Sequence, residues 1–149
     1  MHSKKTTRPH VILMIDDNPT DVLLMKEAFT FCEDRDHEIY VAEDGVYAMD
    51  FLKRQGQYLT APRPDIILLD LNMPRKNGLE VLMAVKADPE FKYIPTLVYT
   101  SSIVKEDVKA AYNSHANGYI KKSVDFDECI QTAKSINDFW FAASILYEP

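Results

Sequence analysis

A small set of side chains carries most of the chemistry written in this chain. Asp70 closes an unbroken apolar run, Ile66-Ile67-Leu68-Leu69, and an acidic pair, Asp16-Asp17, closes another, Val11 to Ile15. Carboxylates delivered at the same end of two buried strands repel one another and raise their own pKa values unless a cation relieves them. Mg2+ suits such a site, because it takes few protein oxygens and keeps several waters. Asp17 and Asp70 are the expected direct ligands, with Asp16 acting through water and the Asn72 backbone carbonyl adding an oxygen from the loop. A carboxylate beside Mg2+ is also a nucleophile toward phosphorus and would form an acyl phosphate. Phosphoryl transfer needs charge neutralisation more than acid–base help. Lys122 would supply an ammonium for the phosphoryl oxygens, and Thr100 a hydroxyl hydrogen bond.

Each of these residues has a plainer role when taken alone. Asp16-Asp17 would serve as helix-capping acids, Asp70 as a turn residue before Pro74, and Lys122 as a solvated surface lysine. What separates the chemical reading from these is their common placement. Apolar runs alternate with amphipathic stretches along the whole chain, the pattern of parallel α/β layering. Strands are expected at Val11–Ile15, Glu38–Ala42, Asp65–Leu69, Thr96–Tyr99 and Gly118–Lys121. The first helix starts at Asn18-Pro19-Thr20-Asp21 and repeats Val22, Met25, Ala28, Phe29 and Cys32 at helical spacing. A second helix follows Asp44-Gly45. A third is capped by Asn77, with Leu79, Leu82, Met83 and Val85 expected on its inner face. The fourth carries Val104, Val108, Ala111, Tyr112 and His115, and the last Phe126, Cys129, Ile130, Ala133, Ile136 and Trp140. The result is (βα)5. Continuous apolar strands imply helices on both faces of the sheet. In such sheets ligands sit beyond the carboxyl ends of the strands, where Asp16-Asp17, Asp70, Thr100-Ser101 and Lys122 all fall.

Bulk properties fit this reading. At 149 residues the chain is the size of one domain. Its net charge of −6 argues against sequence-independent nucleic-acid binding, and no apolar run approaches the roughly 18 residues of a membrane span. Cys32 and Cys129 form no metal or CxxC spacing, so they are expected to be buried, reduced thiols in a cytoplasmic protein. The four histidines, His2, His10, His37 and His115, are scattered, with no metal-binding pair.

The set Asp16-Asp17, Asp70 to Gly78, Thr100-Ser101 and Tyr119-Ile120-Lys121-Lys122 resembles the receiver domain of two-component response regulators, over about residues 9 to 138. The resemblance implies a flavodoxin-like, doubly wound five-stranded parallel sheet in the order 2-1-3-4-5. It also implies phosphorylation of Asp70 by the phosphohistidine of a sensor histidine kinase, and a switch pair, Thr100 and Tyr119. Phosphate would draw the Thr100 hydroxyl inward and the Tyr119 ring would rotate into the space vacated. More narrowly, the segment Gln57 to Pro64, the run Pro95 to Ser102 and the closing Asp138-Phe139-Trp140 resemble the small response regulators that partner cyanobacterial phytochromes. The sequence departs from the family where Ser123 follows Lys122 in place of proline, and where His115 stands at a position often held by glycine.

The expected organisation is a flexible arm at 1–9, a receiver domain at 10–138 and an apolar tail at 139–149. Phe139, Trp140, Phe141, Ile145 and Leu146 cannot all share one helical stripe, and an exposed apolar patch marks an interface. A homodimer through the fifth helix and tail is therefore expected. The remaining end segments are too short for an output domain, so the signal is expected to leave by contact with a downstream protein or by altered dimerisation. A rival reading is an aspartate-nucleophile phosphohydrolase, which wants a second Asp two positions after the first; here that residue is Asn72. Another is a receiver-like module that binds partners without phosphorylation.

Overall fold

A computed structural model describes residues 8–73 and 76–149. The chain runs β1 (His10–Ile15), α1 (Pro19–Phe29), β2 (His37–Ala42), α2 (Gly45–Lys53), β3 (Ile66–Leu69), α3 (Gly78–Ala87), β4 (Thr96–Thr100), α4 (Lys105–Asn113), β5 (Gly118–Lys121) and α5 (Phe126–Ile136). The strands pair in parallel, in the order β2-β1-β3-β4-β5. Most of the arm expected at 1–9, together with Pro74 and Arg75, lies outside the described residues. Arg8 does not behave as part of a free arm: its guanidinium makes a two-pronged bond to Asp65, at 2.8 Å to each carboxylate oxygen.

Alternation along each strand divides the interior into two layers. Ile12, Met14, Ile66, Leu68, Leu97 and Tyr99 face α1 and α5, where they meet Met25, Phe29, Cys129 and Ala133. Leu13, Ile15, Ile67, Leu69 and Val98 face the other way, onto Ala48, Phe51, Val81, Leu82, Val85 and Ala111. Both sides of the central strands are therefore dry, which is why their sequences are apolar without interruption. Both cysteines are buried and free.

Two expected helix faces are corrected. In α3 the buried residues are Gly78, Val81, Leu82 and Val85, whereas Leu79 is half-buried and Met83 is exposed. Asn77 caps the helix as expected, forming a capping box with Glu80. In α4 only Ala111 is buried, with Val104 and Tyr112 exposed. His115 follows α4 with φ of +73°, a left-handed conformation that favours glycine.

The tail also differs from expectation. After α5 the helix continues in the wider π form over Asn137–Ala143, with Asn137 and Phe141 buried. Buried Asn137 bonds the His37 ring at 2.9 Å through its oxygen and donates its amide to Asp34 at 3.1 Å. Phe141 is buried, stacked on His10 with ring centroids 4.2 Å apart and lying 5.6 Å from His37, while the Arg35 guanidinium donates to its carbonyl. Phe141 is therefore a core residue. Phe139 and Ile145 remain exposed, and Trp140 and Leu146 lie half-buried against the core.

This latch makes stability depend on pH. Burial holds both imidazoles below their ordinary value, helped by Arg35; Asp65 opposes the shift at His10, and Asn137 and Asp34 oppose it at His37. Because the unfolded chain then binds protons more readily than the folded one, the stabilisation is complete above about pH 6.5 and declines as pH falls below it. Burial shifts Asp16 upward, which acts with the opposite sign, so the measurement compares wild type with His10→Phe. Between pH 7.5 and 5.5 the urea midpoint of wild type is expected to drop further than that of the variant. Parallel drops would contradict the latch.

Candidate functional site

The sheet ladder runs one residue past the strand ends and places the site. The Asp16 amide bonds the Ala42 carbonyl at 2.9 Å, Asp70 bonds Ile15 at 2.9 Å, and Lys122 bonds Thr100 at 2.8 Å. Because Ile15 lies opposite Leu69, Asp16 and Asp70 emerge side by side. Asp16 and Asp70 are buried and Asp17 is exposed, and one carboxylate oxygen from each of the three lies within 4.8 Å of the others. The Asn18 amide donates to Asp16 Oδ1 at 2.9 Å, and the Asn72 amide to Asp70 Oδ1 at 3.3 Å. Asn72 itself is exposed at the lip.

Lys122 Nζ sits among carboxylates, 2.9 Å from Asp16 Oδ2, 3.2 Å from Asp70 Oδ2 and 2.8 Å from Asp21 Oδ2. Burial opposes its charge, but the bonds to Asp21 and Asp16 and the field of Asp70 outweigh it, so the ammonium is held more firmly protonated than usual. Asp16 is pushed upward by burial, against the relief offered by the Asn18 amide and Lys122. A buried acid shifted this way beside two further carboxylates fits a hard divalent cation. Thr100 is fully buried, and its hydroxyl has no hydrogen-bond partner among the described residues. Tyr119 is half-buried and donates to the Ser102 carbonyl at 2.9 Å; burial raises its pKa, against the effect of that bond. The Lys122–Ser123 peptide is trans. Ser123 holds the turn into α5 by accepting from the Asp125 amide at 3.0 Å and from Cys129 Sγ at 3.3 Å.

Three functional positions escaped the sequence reading. Asp21 passed as helix-start chemistry, and nothing local shows that it reaches a lysine 101 positions away. Gly78 packs so tightly on the acceptor strand end that a Cβ there would stand 2.1 Å from the Asp70 carbonyl oxygen. At Gly45 a Cβ would stand 2.3 Å from the Lys76 carbonyl oxygen, so α2 presses directly on the loop after Asp70. A concavity of about 530 Å³ at the opposite pole, lined by Arg54, Arg63, Tyr93 and Tyr147 among others, holds none of these acids. At the acid site Asp16, Asp70, Thr100 and Lys122 are shielded, and of the three acids only Asp17 is exposed.

Residues 12–134 match the family model for the response regulator receiver domain. The chain belongs to that family. Response regulator Rcp1 of Synechocystis sp. (strain ATCC 27184 / PCC 6803 / Kazusa) is 41% identical over 138 residues, covering 93% of each chain. The crystal structure of the phosphorylated cyanobacterial phytochrome response regulator RcpA superposes with a TM-score of 0.88 at 39% identity, over 95% of this receiver and all of that chain. The Mn2+-bound form of Rcp1 gives a TM-score of 0.85 at 40% identity, over 94% and 100%. The receiver is thus a signalling module with the strand order 2-1-3-4-5 expected of its family.

Proposed function

We propose that this receiver takes a phosphoryl group onto Asp70 from the phosphohistidine of a phytochrome-type sensor histidine kinase. The observation that carries the reading is the convergence of Asp16, Asp17, Asp70, Thr100 and Lys122 from four strand ends at one end of the sheet. Asp70 attacks phosphorus as the bond to the imidazole nitrogen breaks, and the freed imidazole stays on the kinase. Asp17, Asp70 and the Asn72 carbonyl, with Asp16 acting through water, would hold Mg2+, which would supply neutralising charge to the phosphoryl oxygens. Lys122 bonds one of those oxygens and Thr100 donates to another. The inward pull on the Thr100 hydroxyl opens space for the Tyr119 ring, and breaking the Tyr119–Ser102 bond reports the event on the surface. The same site hydrolyses its own acyl phosphate. The phosphohydrolase alternative lacks its general acid, because Asn72 occupies that position.

A kinase carrying radiolabelled phosphohistidine is expected to transfer label to the wild-type chain in Mg2+ and none to Asp70→Asn. Transfer to Asp70→Asn would overturn the assignment. The signal leaves by protein contact with a downstream partner or by altered dimerisation of a cytoplasmic homodimer that pairs across the exposed Phe139 and Ile145, flanked by Trp140 and Leu146. Phe141 takes no part, since it is buried in its own core. Light scattering should give a dimer for wild type and a monomer for Phe139→Ser/Ile145→Ser. A dimer undiminished by the substitutions would remove this surface.

A further inference from the structure

Lys122 has three N–H donors, and three carboxylates lie within reach of them. Two of those carboxylates, Asp16 and Asp70, also belong to the acidic cluster suited to a cation. Asp21 does not. It stands in the first turn of α1, which Pro19 opens and Asn18 caps by accepting from the amides of Thr20 and Asp21. From there its Oδ2 makes the shortest of the three contacts to Lys122, at 2.8 Å. Both side chains are largely shielded, with relative exposures of 8% for Lys122 and 16% for Asp21.

We propose that Asp21 is a positioning residue for phosphoryl transfer, holding the Lys122 ammonium on Asp70 through a carboxylate outside the acidic cluster. The inference rests on the reading of Asp70 as phosphoryl acceptor. A bond to Asp21 fixes rotation about the end of the lysine chain, so that a second N–H stays directed at the Asp70 carboxylate, 3.2 Å away. Lysine carries a flexible four-carbon stem and rotates freely when held at one point only. Asp16 and Asp70 change their surroundings when cation and phosphoryl group arrive, but Asp21 keeps its single partner throughout. It acts through Lys122, and its removal leaves the acidic cluster intact.

The test follows initial rates of phosphorylation by acetyl phosphate over a Mg2+ titration. Wild type, Asp21→Ala, Asp21→Asn, Lys122→Ala and the Asp21→Ala/Lys122→Ala double variant are compared. Asp21→Ala is expected to lower the maximal rate about tenfold and to leave the half-saturating Mg2+ concentration unchanged. Asp21→Asn, which keeps an acceptor oxygen at the same place, should recover most of the rate. In the Lys122→Ala background, loss of Asp21 should cost nothing further. A full additional loss in that background, or a wild-type rate for Asp21→Ala, would overturn the proposal while leaving the acceptor reading intact. A wild-type chain that takes no phosphoryl group would overturn both.

Discussion

Lys122→Ala is expected to destabilise the receiver by about 3 kcal/mol at pH 7.5 and to slow phosphorylation at least about 100-fold. The lysine is the only cation within contact distance of Asp16, Asp70 and Asp21 among the described residues. Removing it leaves shielded carboxylates facing one another without a counter-charge, and such groups relieve the strain by binding protons. The loss should therefore shrink as pH falls toward 5. Mg2+ should recover part of the stability at pH 7.5 but little of the rate, because the phosphoryl oxygens still lack the ammonium. Urea unfolding with and without Mg2+, beside a mass-spectrometric time course, reads both effects. A variant as stable as wild type in the absence of Mg2+ would mean that the acids are not charged at this pH.

Gly78→Ala carries the second large effect, and it acts through backbone. The added methyl would stand 2.1 Å from the Asp70 carbonyl oxygen and 2.5 Å from the Leu71 Cα, so no side-chain rotation can make room. Either the start of α3 moves or the end of β3 does. The expected cost is about 3 kcal/mol. A displacement of Asp70 near 1 Å is expected to slow phosphorylation on the order of 100-fold. Gly56→Ala is the control. It has φ of +60° and nothing within 4 Å of a Cβ, so it should cost about 1 kcal/mol through strain and leave the rate alone. Equal rates for Gly78→Ala and wild type would show that the acceptor loop is not braced by α3.

Much of this architecture was legible because its signals are local. Apolar runs of strand length closed by Asp, Asp and Thr mark both the buried strands and the end at which chemistry must sit, and the ladder past Ile15 and Leu69 puts Asp16 beside Asp70. Helix phase was less legible. Leu79 and Met83 are as apolar as Val81, so composition alone does not say which of them faces the sheet. Phe141 was misjudged for a related reason: it looks like surplus apolar surface until the His10 and His37 rings, more than a hundred residues earlier in the chain, come to lie against it. Asp21 shows the general limit. A carboxylate in the first turn of a helix is already explained by the helix dipole, so nothing in the sequence calls for a second role.

Every step of the proposed signalling requires Asp70 to be a Mg2+-dependent phosphoryl acceptor. The most direct measurement is intact mass after incubation with acetyl phosphate, for wild type with Mg2+, wild type with a chelator, and Asp70→Asn with Mg2+. One added phosphoryl group is expected in the first sample and none in the other two, with beryllofluoride binding as the check against a short-lived adduct. An adduct that survives loss of Asp70 or of Mg2+, or a folded wild type that takes neither phosphoryl nor beryllofluoride, would contradict it.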